Sequence, residues 1–225
     1  MITLVIPAYN EENRLPSTVK AFANYFPNFD ILIVPNGCTD GTEKVAQDLA
    51  TKYNNVRTWA TPIGGKGFAV REGFRRSKHN LVGFVDADLA ITPEEFAKLI
   101  PFAKENDVVI SSRWLPDSNV TKKEPPQVRF AGRIFNLMVK VWFGLKISDT
   151  QCGAKIFKTE LMRKILPKCV VNKMAFDVEF LYHAKNFGAT IKEVPITWKH
   201  NPEESKTGVF KTGIKMIGQL ASIKK

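Results

Sequence analysis

Short apolar runs separated by polar, helix-forming stretches dominate the first half of the chain. Residues 2–6 read as a strand, and residues 14–26 as a helix with Pro16 in its first turn. Residues 31–34 form the next apolar run, closed by the turn residues Pro35, Asn36 and Gly37. Thr39 or Asp40 then caps a helix that runs through Val45 and Leu49 to about Tyr53. Strands follow at residues 56–60, 81–85 and 108–112, with helices at 67–77 and 94–104 between them. Strands alternating with helices at this spacing predict an α/β fold whose mostly parallel central sheet is flanked by helices.

The pattern loosens after Arg113. Residues 117–127 are polar, contain Pro125 and Pro126, and read as a loop or flap. Beyond them Phe130, Ile134, Leu137, Met138, Val141 and Trp142 recur at helical spacing, accompanied by Arg129, Arg133 and Lys140. Core packing is the first reading of that stripe; a basic amphipathic helix lying in a bilayer interface is the second. Val209, Phe210, Ile214, Ile217 and Leu220, among Lys211, Lys215, Lys224 and Lys225, repeat the theme. No internal repeat or linker divides the 225 residues, so one domain is expected.

Composition changes this picture in one respect. With 33 Lys and Arg against 22 Asp and Glu, the net charge of +11 favours anionic partners: nucleic acid, phosphorylated substrates or an acidic lipid surface. No nucleic-acid-binding motif accompanies the charge, so no nucleic acid is expected. Cys38, Cys152 and Cys169 are odd in number and lack metal-ligand spacing, as do His79, His183 and His200. A reducing compartment is the simple inference. The chain starts on a strand, without a basic leader, and holds no spanning apolar stretch, so a cytoplasmic protein is expected.

The chemistry concentrates where strands end. The run 81–85 stops at Asp86-Ala87-Asp88, and strand ends of an open α/β sheet face the ligand crevice. Two carboxylates there repel unless a cation lies between them, and Mg²⁺ takes such carboxylates together with phosphate oxygens. The alternative is an acidic helix start, since Thr92-Pro93-Glu94-Glu95 follows. Asn36, after the second strand, offers an amide able to read a base edge. Gly64-Gly65-Lys66-Gly67 precedes a helix, where glycines admit a phosphate and Lys66 attracts it, although the P-loop spacing is absent.

Together these segments resemble inverting glycosyltransferases of family 2, which have the GT-A fold. The resemblance rests on Val5-Ile6-Pro7-Ala8-Tyr9-Asn10-Glu11-Glu12, Asn36-Gly37-Cys38-Thr39-Asp40-Gly41-Thr42, Gly65-Lys66-Gly67 and Asp86-Ala87-Asp88. Ser112-Arg113, the run from Asp149 to Phe157 and the run from Ala175 to Tyr182 are similar to the polyprenyl-phosphate branch, the dolichyl-phosphate glucose and mannose synthases, and most like the glucose synthases. The resemblance implies transfer of a hexose, glucose rather than mannose, from UDP-glucose or GDP-mannose to a polyprenyl or dolichyl phosphate. Residues 1–115 then bind the nucleotide sugar, and residues 116–225 the acceptor. It implies that Pro7, Tyr9, Glu11, Val34, Asn36, Lys66, Asp86, Ala87 and Lys206 contact the donor. Asp86 and Asp88 hold Mg²⁺ or Mn²⁺, and Arg113, Arg129 and Arg133 receive the acceptor phosphate. Asp88, Arg113 and Asp149 are the expected catalytic set.

Three departures stand out. Pro35 and Asn36 replace two Asp of many relatives, Ala90 replaces a Gln of some mannose synthases, and many relatives continue into transmembrane helices where this sequence stops at Lys225. Membrane access then rests on the amphipathic helices or on a separate anchored partner, at the cytoplasmic face. A lipid phosphate, dianionic near neutral pH, needs little help from a base. A hydroxyl acceptor, the rival expectation, needs one, with Asp149 or Glu179 as candidates. A non-catalytic module that only binds nucleotide sugar is the rival from another class.

Overall fold

The computed structural model describes residues 1–122, 126–199 and 209–223, with side-chain surroundings for all of these except 122, 126–128 and 209–214. Its strands are β1 (Ile2–Ala8), β2 (Asp30–Pro35), β3 (Val56–Thr58), β4 (Leu81–Val85), β5 (Val108–Ser112), β6 (Asn119–Lys122), β7 (Ala154–Lys158), β8 (Ile191–Pro195) and β9 (Thr197–Lys199). Seven of them form one sheet in the order β3-β2-β1-β4-β7-β5-β8, and β6 pairs with β9. All neighbours in the large sheet are parallel except at β7, which runs antiparallel to both β4 and β5. The start of β7 therefore lies at the edge where β4 and β5 end, with Val85 opposite Ala154.

Successive residues of each central strand face opposite sides, and both sides are covered. Val5, Leu32, Val82, Phe84, Val108 and Phe157 pack under α3 (Lys66–Arg75), α6 (Thr159–Ile165) and α7 (Phe176–Asn186). Leu4, Ile6, Ile31, Ile33, Val109 and Ile156 pack under α1 (Leu15–Tyr25), α2 (Thr42–Lys52) and α4 (Pro93–Ala97). The mostly parallel α/β architecture expected from the alternating pattern is the one observed.

Three expectations need correction. The helix expected over 94–104 is two pieces, α4 and a 3₁₀ turn at Pro101–Lys104. Pro101 has no N–H and its ring clashes with the carbonyl four residues back, so α4 stops at Ala97. The expected loop 117–127 contains β6, which finds its partner some 75 residues later, out of reach of any local pattern.

The third correction concerns α5 (Pro126–Phe143). Its core face is Phe135, Val139 and Phe143, with the Phe143 ring 5.2 Å from Tyr182 of α7. The stripe assigned to the core is instead exposed: Phe130 at 67%, Leu137 at 61% and Val141 at 76%, with Ile134 and Trp142 also open to solvent. The helix is apolar on two sides, and only one can meet the sheet layer. α8 (Val209–Leu220) packs beside it, and Leu220 and Ile223 enter the core. No helix among the described residues is long and apolar enough to cross a membrane.

Candidate active site

Asp86 and Asp88 leave β4 at the carboxyl edge of the sheet. Leu89 then adopts a left-handed φ of 58°, unusual for a bulky side chain. That turn lets an Asp88 carboxylate oxygen accept the Ala90 N–H at 2.9 Å. The Asp86 side chain, about one-third exposed, pairs with the Lys66 ammonium at 2.5 Å. Behind it sits Gly153, just before β7; any Cβ there collides with the Asp86 carboxylate. The antiparallel entry of β7 thus seats the first carboxylate, and a side chain at position 153 would have to displace it.

Lys66 opens α3, and its position follows from the glycines around it. Gly65 has φ 144°, and a Cβ on Gly67 meets Phe176 and the backbone of Val171 and Lys173. The N-terminus of α3 is therefore wedged against that of α7. Burial pulls the Lys66 pKa down, but Asp86, then Asp177, then Asp88 raise it overall, so the ammonium stays charged. Burial pushes the Asp86 carboxyl above its usual range against the pull of Lys66, with Asp88 and Asp177 adding repulsion.

The donor set fits a hard divalent ion: two aspartates offering only oxygen, at a partly open strand end, with like charges that favour cation binding. The nearby thiol of Cys152 does not compete. It is buried against Ser111 and pushed up to about 12, chiefly by burial and then by Asp149.

Arg113 follows β5 on the same edge. Its Nε and Nη2 donate to the two Asp149 oxygens at 2.7 and 3.0 Å, and its own N–H adds a third bond at 3.0 Å. Its guanidinium lies 5.1 Å from the centre of the buried Trp198 ring. Asp149 is wholly buried and also accepts the Gln151 N–H. Burial pushes its carboxyl up, but the Arg113 charge and hydrogen bonds win and hold it below the ordinary aspartate range. So committed, the Asp149 anion orients Arg113, one of the two roles the sequence leaves open for it beside that of a base. Glu179, the other candidate base, is buried and accepts the N–H groups of Val170 and Val171.

Arg129 and Arg133 are exposed on α5, one to either side of Gly132, which packs on the Trp114 ring beside Arg113. Asn136 of the same helix accepts from the Thr150 N–H and hydroxyl, tying α5 to the 149–153 loop.

The nucleoside side matches the expectation unevenly. Tyr9 is exposed at the end of β1. Glu11 receives both forks of Arg14 at 2.6 and 2.5 Å, and its N–H bonds Thr42. Pro7 and Val34 are register partners, but both are buried and the Val34 side chain belongs to the core. The Ala87 methyl is likewise core, its carbonyl held by Thr18 at 2.8 Å. Neither Val34 nor Ala87 presents a side chain to a donor.

Asn36 is a clearer correction. It is 1% exposed, its amide donating to the Ala8 and Val34 carbonyls and accepting the Gly65 N–H at 2.9 Å. Both halves of the amide are spent on backbone, so it braces the glycine loop instead of standing open for a base edge. Lys206 and His200 lie outside the described residues.

Two residues without an assigned role complete the site. Lys155, on β7 opposite Phe84, is wholly buried and donates to Asp177 at 2.5 Å and to the Cys152 carbonyl at 2.7 Å. Asp177 is 3% exposed in the first turn of α7. A lysine between two apolar residues of a central strand was the available signal, since a charge there demands a partner.

Comparison with known proteins agrees with this geometry. The family model described as glycosyl transferase family 2 matches residues 3–166. A dolichyl-phosphate beta-glucosyltransferase of Dictyostelium discoideum is 30% identical over 241 residues, covering 99% of this chain and 73% of its own length. The dolichyl-phosphate beta-glucosyltransferase ALG5C of Trichomonas vaginalis is 29% identical, covering 96% of this chain and 69% of its own. Among solved structures, glucosyl-3-phosphoglycerate synthase from Mycobacterium tuberculosis, in complex with Mn²⁺, UDP-glucose and phosphoglyceric acid, superposes with a TM-score of 0.74 at 16% identity. That match covers 99% of this chain and 79% of the synthase, and at such identity the likeness is one of fold.

Proposed function

The chain belongs to glycosyl transferase family 2, and we propose that it moves glucose from UDP-glucose to a dolichyl or polyprenyl phosphate, with inversion, at a membrane surface. The observation that carries the reading is the pairing of functions on one sheet edge. Asp86 and Asp88, with Lys66 on Asp86, follow the end of β4, and Arg113, clamped by Asp149, follows the end of β5, with the start of β7 between the two strands. The names of the two relatives support the sugar and the lipid acceptor, and the UDP-glucose and Mn²⁺ of the structural neighbour support the donor and the metal class.

When bound to Asp86 and Asp88, Mg²⁺ or Mn²⁺ supplies Lewis-acid neutralisation of the departing diphosphate. Lys66 contributes a fixed positive charge from the α3 N-terminus, where helix N–H groups favour the same anion. Arg113, oriented by Asp149, places a fixed positive charge for the acceptor phosphate at this sheet edge, and Arg129 and Arg133 attract that phosphate to the cleft. The attacking dianion needs no proton removed. Both candidate bases for a hydroxyl acceptor, Asp149 and Glu179, are committed elsewhere, which favours the phosphate acceptor.

The exposed face of α5 supports the membrane site. Five large apolar side chains share an 18-residue helix that carries Arg129, Arg133 and Lys140 and no acidic residue. Such a helix seats its apolar side among acyl chains while its cations meet anionic headgroups.

The test is transfer from radiolabelled UDP-glucose or GDP-mannose to a polyprenyl phosphate, against a panel of sugar alcohols, with and without Mn²⁺. Glucose on the lipid phosphate, only with metal, is the expected result. Glucose on the alcohols alone overturns the acceptor, and nucleotide binding without any turnover overturns the enzyme reading.

A further inference from the structure

The fold brings together three metal-ligating side chains that their sequence spacing keeps apart. Cys169 follows the 3₁₀ turn Leu166–Lys168, and Glu179 and His183 stand one helical turn apart on α7. One atom from each, the Cys169 sulfur, a Glu179 oxygen and a His183 ring nitrogen, lies within 4.8 Å of the other two. A single point therefore lies within about 2.8 Å of all three, and a closure of under ~1 Å reaches the roughly 2.0–2.3 Å of zinc bonds. Cys169 and Glu179 are buried. The Nε2 atom of His183 is buried too, and it finds no hydrogen-bond partner among the described residues. A buried ring nitrogen left unmatched costs free energy, which a metal bond would recover.

We infer that Cys169, Glu179 and His183 form a second divalent-cation site, suited to Zn²⁺ and separate from Asp86 and Asp88. The donor set decides the ion. Sulfur and imidazole nitrogen with one carboxylate select Zn²⁺, whereas Mg²⁺ and Mn²⁺ prefer the all-oxygen pair after β4. The Glu179 oxygens already accept the Val170 and Val171 N–H groups at 2.7 to 3.2 Å. Those bonds leave lone pairs for a metal and orient the carboxylate, as hydrogen bonds around metal ligands commonly do. Burial keeps the Cys169 thiol protonated in the metal-free protein, where it donates weakly to the Ile165 carbonyl at 3.4 Å. Zinc takes the place of that proton on sulfur, and the proton leaves to solvent.

The site has a mechanical consequence. Residues 169–173 form the floor under the N-terminus of α3. The Asn172 carbonyl accepts the Phe68 N–H at 3.0 Å, and the Val171 and Lys173 carbonyls abut Gly67. An ion that joins Cys169 to α7 clasps this floor beneath Lys66. The inference stands independently of the sugar and the acceptor proposed above.

Tag-free, full-length protein is loaded with one equivalent of Co²⁺, a spectroscopic stand-in for Zn²⁺. The parent is expected to show a thiolate-to-cobalt charge-transfer band that Zn²⁺ abolishes and Mg²⁺ does not. Cys169→Ser, which keeps the side chain's size, and His183→Asn should each lose the band, while C38S and D86N/D88N keep it. Zn²⁺ should also raise the melting temperature of the parent and leave that of C169S unmoved, with circular dichroism checking that C169S is folded; if it is not, H183N serves in its place. A parent without the band, or a band that survives C169S, overturns the inference. So does an equal Zn²⁺ shift of the melting temperature in parent and variant.

Discussion

Asp149 shows how much a single buried carboxylate decides. Its pKa lies below the 3.8 of an unperturbed aspartate because Arg113 overcomes the cost of burial. A carboxyl depressed in this way adds stability that is fully present above 3.8 and is lost as pH falls through the lower folded value. Asp149→Asn should therefore flatten the acid limb of a stability-versus-pH curve, measured by chemical denaturation from pH 7 to pH 3. It should also raise the acceptor KM, since Arg113 loses its brace. Asp88→Ala should lower metal-dependent transfer by at least ~10²-fold while leaving the melting transition near that of the parent, because the residue sits on a turn outside the core. Unchanged turnover would remove Asp88 from the metal site. Arg129→Ala should raise the acceptor KM with little change in UDP affinity by calorimetry; an equal loss of both would move it out of the acceptor region.

At the scale of elements, α5 and β7 are the two that the sequence pattern described worst, for opposite reasons. α5 is apolar on two sides, and periodicity alone cannot say which side meets the sheet. β7 was hidden because Lys155 interrupts its apolar run, and a buried lysine is legible only once Asp177 is known to stand against it. Elements with an unbroken signal, the continuous apolar runs of β1 and β4 and the amphipathic helices α1 and α3, were readable within a residue or two. Asn36 carries the same lesson at finer grain: its type announced hydrogen bonding, but its partners are backbone groups set by the packing of two loops. The exposed face of α5 leads to a direct expectation. Leu137→Glu with Val141→Glu should cut co-sedimentation with anionic vesicles at least about fivefold, with transfer to a short, water-soluble acceptor phosphate retained. Parent-like sedimentation by the variant would remove α5 from the membrane contact.

For the whole molecule, the charge of +11 adds a long-range component to the proposed association with acidic lipid. Vesicle binding should weaken steeply between low and physiological salt and then level at a residue of apolar insertion. A binding curve indifferent to salt would mean that the positive surface serves something else.

The antiparallel strand at the centre of the sheet also bears on biosynthesis. Its partners precede it by roughly 45 to 75 positions, so the middle of the sheet closes only after most of the chain has been translated. Until then the nascent polypeptide carries an unsatisfied β4 margin, prone to pairing with neighbours, and neither carboxylate has its seat. Premature termination before Lys158 should therefore yield an aggregation-prone fragment rather than a weakened enzyme, a difference that sedimentation of the truncated chain would read.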